Sequence, residues 1–306
     1  PDIFWIKNTF SYYDYDGSTY VELFYISSGT TLETQKEKFN EALNNFVNNA
    51  TMYSSEYERE KYVNDYIISN CVYDDEAAYN NNTKGNVSTA YGVLVDGKAI
   101  CEGYARAFQL LCNKLGIECV SIAGMTGDVG HEWNCAKIDG NWYQVDVTWN
   151  DSQDDFSNYY YFNLTDEQMY SSHRADDLFD EIEPDNYNND ENLIGNLYVP
   201  ECNSTEYNYY NQTAPILYAF DEENDNTISN ALANSAVNGD NYFNIIVDDS
   251  LDFEDAYSTL VQDGYIVNYI ESANNMLWGE VELDTSSYAY NNDTLRVITI
   301  VLNYIN

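Results

Sequence analysis

The chain has 306 residues, enough for two domains or one large one, and 44% of them are hydrophobic, so a packed core is expected rather than disorder. Its 12 Lys and Arg against 52 Asp and Glu give a net charge of −40. So acidic a surface repels nucleic acid and anionic membranes and favours cationic partners or divalent metals, with solubility outside a cell as the plainer reason for it. No apolar run is long enough to cross a bilayer as a helix, so no membrane insertion is expected.

Taken in chain order, "DIFWI" and "TYVELFYI" predict two strands joined at Asp16-Gly17. Residues 31–50 predict a helix with Leu32, Phe39, Leu43, Phe46 and Val47 near one face, and a second helix runs from about Ser55 to Asn70. "DDEAAYNNNTKGN" reads as an Asn-rich loop. A helix then begins at Cys101, where Ala105, Phe108, Cys112 and Leu115 recur at helical spacing and Gly116 stops it. "IECVSIAG" suits a buried strand, and "HEWNCAKIDGNWYQVDVTWND" suits a hairpin turning at Asp139-Gly140. From Asp176 to about Asn211 the sequence is acidic, rich in Tyr and Asn and weakly patterned, which predicts a linker. Beyond it, "YFNIIV", "YIVNYI" and "LRVITIVLNYI" read as strands, with an amphipathic helix through Phe253, Ala256, Leu260 and Val261 that Gly264 ends. Four segments follow: 1–54 (strand hairpin and helix), 55–180 (a core), 181–211 (a linker) and 212–306 (a small α/β domain).

Six cysteines and two histidines supply the chemistry that can be weighed. Neither C-x-x-C nor zinc-ligand spacing occurs, "HEWNC" lacks the second His of H-E-x-x-H, and no EF-hand loop fits, so neither metal nor cofactor is expected. Cys112 and Cys119 read as core residues, which leaves a disulfide framework unestablished. Cys101 lies in a first helical turn, where free N–H groups and the helix dipole favour a thiolate. A nucleophilic thiol needs a base, and the hairpin supplies one. With a two-residue turn Ile138 pairs with Asn141, so Trp133 falls opposite Asp146 and His131 opposite Thr148. All four then share one face. His131 and Asp146 become diagonal neighbours roughly 7–8 Å apart at the backbone, a gap that imidazole and carboxylate can close. A thiolate to attack a carbonyl, an imidazole to move the proton and a carboxylate to orient the ring make Cys101, His131 and Asp146 the candidate triad. Singly, each has an ordinary explanation; together they favour catalysis. His173 has no acid partner that can be placed and reads as structural or surface.

"GVLVDGKAICEGYARAFQLLCNKLGIEC" followed by "GHEWNCAKIDGNWYQVDVTW" resembles the core of the transglutaminase-like superfamily of papain-related thiol enzymes, most of all its bacterial peptidase-like branch. The likeness spans roughly residues 55–175. It implies an α+β fold, in which a helix carrying the cysteine packs on an antiparallel sheet carrying His and Asp, with Cys101 as nucleophile, His131 as base and Asp146 as orienting acid. An aromatic or Gln side chain upstream often serves as second oxyanion donor in this superfamily, and Tyr91 is the candidate, with a packing role as its ordinary alternative. Residues 190–306 lie outside the resemblance.

The function expected is a thiol enzyme acting on amide bonds of proteins or peptides through a thioester acyl-enzyme, as a peptidase, amidase or acyl transferase. A non-catalytic surface binding or adhesion module with a retained triad is the alternative. A glycoside hydrolase would rest only on the abundance of carboxylates. Few Lys, many Tyr and Asn, and an opening on Pro1 without initiator Met or signal peptide, fit a mature or trimmed extracellular or cell-surface protein associated with a cell wall or surface.

Overall fold

The computed structural model describes residues 3–80, 85–152, 154–176, 199–279 and 281–305, and divides the chain into two units, 1–204 and 205–306. Residues 181–198 of the expected linker lie outside the described residues, as do 81–84 of the Asn-rich loop.

The first unit opens with strands β1 (Ile6–Tyr15) and β2 (Ser18–Tyr25), an antiparallel hairpin turning at Asp16-Gly17. "DIFWI" mostly precedes the strand: Phe4 is buried against the rings of Phe39 and Tyr91, which ties this stretch to the core instead. The hairpin is a sheet of its own, and every residue of β2 is exposed. Helix α1 (Gly29–Ala50) buries Phe39, Leu43 and Phe46 at helical spacing. Helix α2 (Glu56–Asn70) starts where Ser55 and Glu58 form a capping box, satisfying two otherwise orphaned N–H groups. Strand β3 (Val72–Tyr73) and helix α3 (Asp75–Tyr79) follow, then β4 (Lys98–Ala99), which pairs in parallel with β3.

Helix α4 (Cys101–Lys114) begins directly after β4 and is apolar along one side, burying Tyr104, Ala105, Phe108, Leu111 and Cys112. Gly103 is required in its first turn: a Cβ there would meet the Val87 carbonyl oxygen at 2.5 Å and the Ala99 Cβ at 2.8 Å. Strands β5 (Cys119–Thr126), β6 (Val129–Ile138), β7 (Asn141–Val145) and β8 (His173–Ala175) form an antiparallel sheet in the order β7-β6-β5-β8. Asp139 and Gly140 both take positive φ, 47° and 92°, the pattern of a two-residue hairpin turn, and Ile138 pairs with Asn141. Helix α4 lies against this sheet, where the buried Asn134 amide of β6 donates to the Ala105 carbonyl at 3.0 Å. The ladder stops at Val145. Asp146 caps the short helix α5 (Val147–Asn150), so Thr148 is helical and does not continue the strand opposite His131. Helix α6 (Asp166–Met169) leads into β8.

The second unit is α/β. Helix α7 (Tyr209–Thr213) precedes a sheet of order β11-β12-β10-β9, built from β9 (Ile216–Leu217), β10 (Tyr242–Val247), β11 (Ala289–Asn292) and β12 (Val297–Val301). Helices α8 (Glu222–Asn238), α9 (Phe253–Tyr257) and α10 (Ile266–Leu277) share its core through Ile228, Leu232, Phe253, Tyr269 and Ile270. "YIVNYI" is thus helix, not strand. Its apolar run continues as Ile266, Tyr269, Ile270, Ala273 and Leu277, all buried, and that spacing is helical over twelve residues.

Candidate active site

Cys101 enters the site from the start of α4. It is half-buried, while the other five cysteines are buried, and all six are free thiols. Burial pushes the Cys71 thiol up to about 11 and Cys112 well above its ordinary value; Cys202 is pushed up by the neighbouring Cys135 thiol and by burial. Cys112 and Cys119 are core residues, as their positions on the apolar helix face and in a buried strand predict.

His131 on β6 and Asp146 at the end of β7 meet directly, with Nε2 2.6 Å from Oδ2. The carboxylate is fully buried and accepts from four donors. Oδ2 takes His131 and His173, the latter at 3.0 Å, and Oδ1 takes the backbone N–H groups of Thr148 at 2.9 Å and Trp149 at 3.2 Å. Burial alone would raise the Asp146 carboxyl, but the two imidazoles outweigh it and hold it down at about 2. For His131 burial works against the charged ring, and Asp146 and Cys101 together overcome it, raising the imidazole to about 10. Cys101 lies near enough to this ring to favour its charged form. Since Nε2 is committed to Asp146, Nδ1 is the nitrogen left for the thiol.

Two residues stand where the sequence reading does not put them. His173 is buried and bonded to Asp146; β8 pairs with β5, matching His173 to Thr126, and so brings it over the site. Tyr73 lies near Cys101, whose thiol and backbone both act on its phenol. Burial first, and the Cys101 charge next, push the phenol up to about 12, so it stays a donor. Tyr91 is buried and packs 4.6 Å from the Phe4 ring; besides burial, its hydroxyl feels Asp96, not Cys101. No local sequence signal marks Tyr73. The β3–β4 pairing that sets Tyr73 against Ala99, two residues before the cysteine, is what brings it there.

Beyond these residues, Glu132 follows His131 and is pushed up to about 7 by burial and the Glu102 charge, with Arg106 opposing. Arg106, Gln109, Ser121 and Glu132 line a groove of about 520 Å³ whose other wall includes Ile3, Ile6 and Leu23.

His131, Asp146 and His173 offer ligand atoms within 4.8 Å of one another. Their N···O separations of 2.6 and 3.0 Å are hydrogen-bond lengths, closer than the about 3.3 Å that separates ligands around a tetrahedral zinc with bonds near 2.0 Å. They form a hydrogen-bonded unit. Among the described residues no helix is long and apolar enough to cross a membrane.

A thiol at a helix start stands with an imidazole and a buried carboxylate carried by an antiparallel sheet. Residues 44–147 match the model of the transglutaminase-like superfamily, and this chain carries a transglutaminase-like domain of α+β fold. It is 28% identical over 167 residues to a mouse protein (Mus musculus) named kyphoscoliosis peptidase, and 27% identical over 146 residues to a human one (Homo sapiens) of the same name. These alignments cover 51% and 44% of this chain but 24% and 22% of those proteins, so the chain spans about a quarter of their length. A crystal structure described as that of a TGase is also similar, at 18% identity, with a TM-score of 0.33 over 47% of this chain and 45% of that one; so low a score supports no inference.

Proposed function

We propose that this protein is a thiol enzyme that acts on amide bonds of proteins or peptides through Cys101, His131 and Asp146. The observation that carries the reading is the His131 imidazole, 2.6 Å from the buried Asp146 carboxylate and near enough to Cys101, at the start of α4, for each to act on its charge. In the reaction the Cys101 sulfur attacks the amide carbonyl. His131 takes the thiol proton and returns it to the leaving amine, and a thioester remains on Cys101. Asp146 fixes the ring and offsets its charge. The Tyr73 hydroxyl, near Cys101, and the Cys101 N–H in the first turn of α4 are the donors proposed for the carbonyl oxygen as it gains charge. Water then releases an acid, or an amine takes the acyl group. Residues 205–306 contain no His and are proposed to supply binding contacts.

The test incubates the full chain and Cys101→Ala with a mixed peptide library, with and without a fluorescent primary amine, and reads products by mass spectrometry. New termini or incorporated amine that depend on Cys101 support the proposal and separate hydrolysis from transfer. Identical behaviour of the two chains refutes it and leaves the binding-module alternative.

A further inference from the structure

His173 has no part in the chemistry just described, yet it is firmly held. Its ring is buried and packs 4.6 Å from Trp149, 5.1 Å from Trp133 and 5.6 Å from Tyr161. Its Nε2 lies 3.0 Å from Asp146 Oδ2, the same oxygen that receives His131. An ionised carboxylate only accepts hydrogen bonds, so Nε2 carries the proton in both rings. Nδ1 of His173 is left as acceptor, and the Ser172 hydroxyl donates to it at 2.8 Å. The result is an unbroken line of Ser172, His173, Asp146 and His131, with Cys101 near the last ring.

The backbone donors of Thr148 and Trp149 fix only Oδ1 of the carboxylate. Oδ2 faces the catalytic imidazole, and the plane can still pivot about the Cβ–Cγ bond unless that oxygen is held as well. His173 reaches it from β8, an element remote in sequence from both β7 and α5. Hydrogen bonds to charged groups are about twice as strong as neutral ones.

We infer that His173 is a positioning residue of the triad, whose Nε2–H is the second donor on the Asp146 oxygen that holds His131 and keeps that carboxylate aimed at the imidazole. The inference rests on the thiol-enzyme reading above. The other titratable groups facing the line are the Tyr73 hydroxyl beside Cys101, Glu132 next to His131, with Glu102 and Arg106 acting on it, and the Tyr161 phenol, which feels Asp146. All are unchanged in the variants below.

The test compares His173→Phe, which keeps an aromatic ring but has no donor, with His173→Gln, whose amide nitrogen overlays the imidazole Nε2. His173→Asn, whose shorter amide cannot reach Oδ2, serves if His173→Phe does not fold. The first readout is the rate of Cys101 alkylation by iodoacetamide. At pH 7 the donor-less variants should be slowed by about tenfold or more, the worth of one hydrogen bond to a charge, and His173→Gln should recover most of the loss. The second readout is ring ¹⁵N NMR. The chain has two histidines, so in each variant the remaining signal is His131. Its titration midpoint should move by about half a unit or more in the donor-less variants and return in His173→Gln, one unit being a tenfold change in equilibrium.

If Cys101 of the unaltered chain alkylates no faster than the thiols of the urea-unfolded chain, the thiol-enzyme reading falls and this inference with it. If it is fast, and the Phe and Gln variants match it or are slowed equally at equal melting temperature, the positioning role alone is overturned.

Discussion

Replacing Asp146 by Asn preserves the outline of the side chain and removes what four donors converge on. The carboxylate has two accepting oxygens, one for His131 and His173 and one for the N–H groups of Thr148 and Trp149. An amide has one. Whichever way it is turned, its NH₂ faces two buried donors, and stranding two such groups costs roughly 2–6 kcal/mol. The second effect falls on His131. It is raised from 6.5 to about 10, a difference of 3.5 units. That corresponds to about 5 kcal/mol in favour of the imidazolium, at order-of-magnitude level. Without the carboxylate, burial acts with less opposition and the ring should lose its proton far below 10. The ¹⁵N ring titration of Asp146→Asn should therefore show His131 neutral at pH 8, where the parent ring is still charged. Cys101-dependent turnover should drop by about 10³–10⁴, the loss seen when another triad is deprived of its carboxylate. A His131 midpoint still near its parent value, or turnover within tenfold, would refute the assignment of Asp146 as the group that holds the base.

Limited iodoacetamide should label Cys101 first, because Cys71, Cys112 and Cys202 are buried and pushed up; peptide mapping that finds any of these labelled as fast removes the basis for a distinct nucleophile. Tyr73→Phe should lower turnover by about 10- to 10³-fold while leaving alkylation of Cys101 nearly unchanged, whereas Tyr91→Phe should cost little turnover; the reverse order would return the oxyanion role to Tyr91. Glu60 is fully buried, its Oε2 bonded to the Asn163 amide at 2.8 Å, and burial pushes its carboxyl up from 4.5 to about 8. The folded state binds this proton more tightly than the unfolded one, so its contribution is whole below about pH 4.5 and is lost as pH rises toward 8. Urea melts of Glu60→Gln should thus lose less stability between pH 5 and 8 than the parent chain, by up to about 3.5 kcal/mol; parallel curves would count against the raised carboxyl. Residues 1–204 expressed alone should stay soluble and keep a reactive Cys101, and an unfolded product would mean that the two units depend on one core.

How far the sequence discloses this site depends on how local the pairing is. His131 and Asp146 are joined by a two-residue turn, so counting residues outward from Asp139-Gly140 is enough to bring them together. The same counting fails two residues further on, because Asp146 caps a helix and Thr148 leaves the sheet. His173 and Tyr73 are invisible to it. Each arrives through a short pairing between distant segments, Thr126 with His173 and Tyr73 with Ala99, and neither pairing leaves a periodicity to detect. Tyr91, the nearest tyrosine upstream of Cys101, packs against Phe4 and Phe39 instead. The misread of α10 has another origin: five apolar or β-branched residues in a stretch of six satisfy a strand window, and only the following Ala273 and Leu277 reveal the helical period.

The β1–β2 hairpin gives the chain an unusual balance of forces in solution. Phe10, Tyr12, Val21 and Leu23 stand exposed on one face, and Tyr13 and Tyr20 stack on the other, in a molecule of net charge −40. In dilute buffer the charge keeps copies apart despite that aromatic surface. At about 1 M salt the screening length falls to about 3 Å, while sulfate strengthens apolar attraction. The protein then behaves as a charged colloid whose stabilising layer has been switched off. It should sediment as a monomer at low ionic strength and come out of solution early in an ammonium sulfate series, with the hairpin as the adhesive surface.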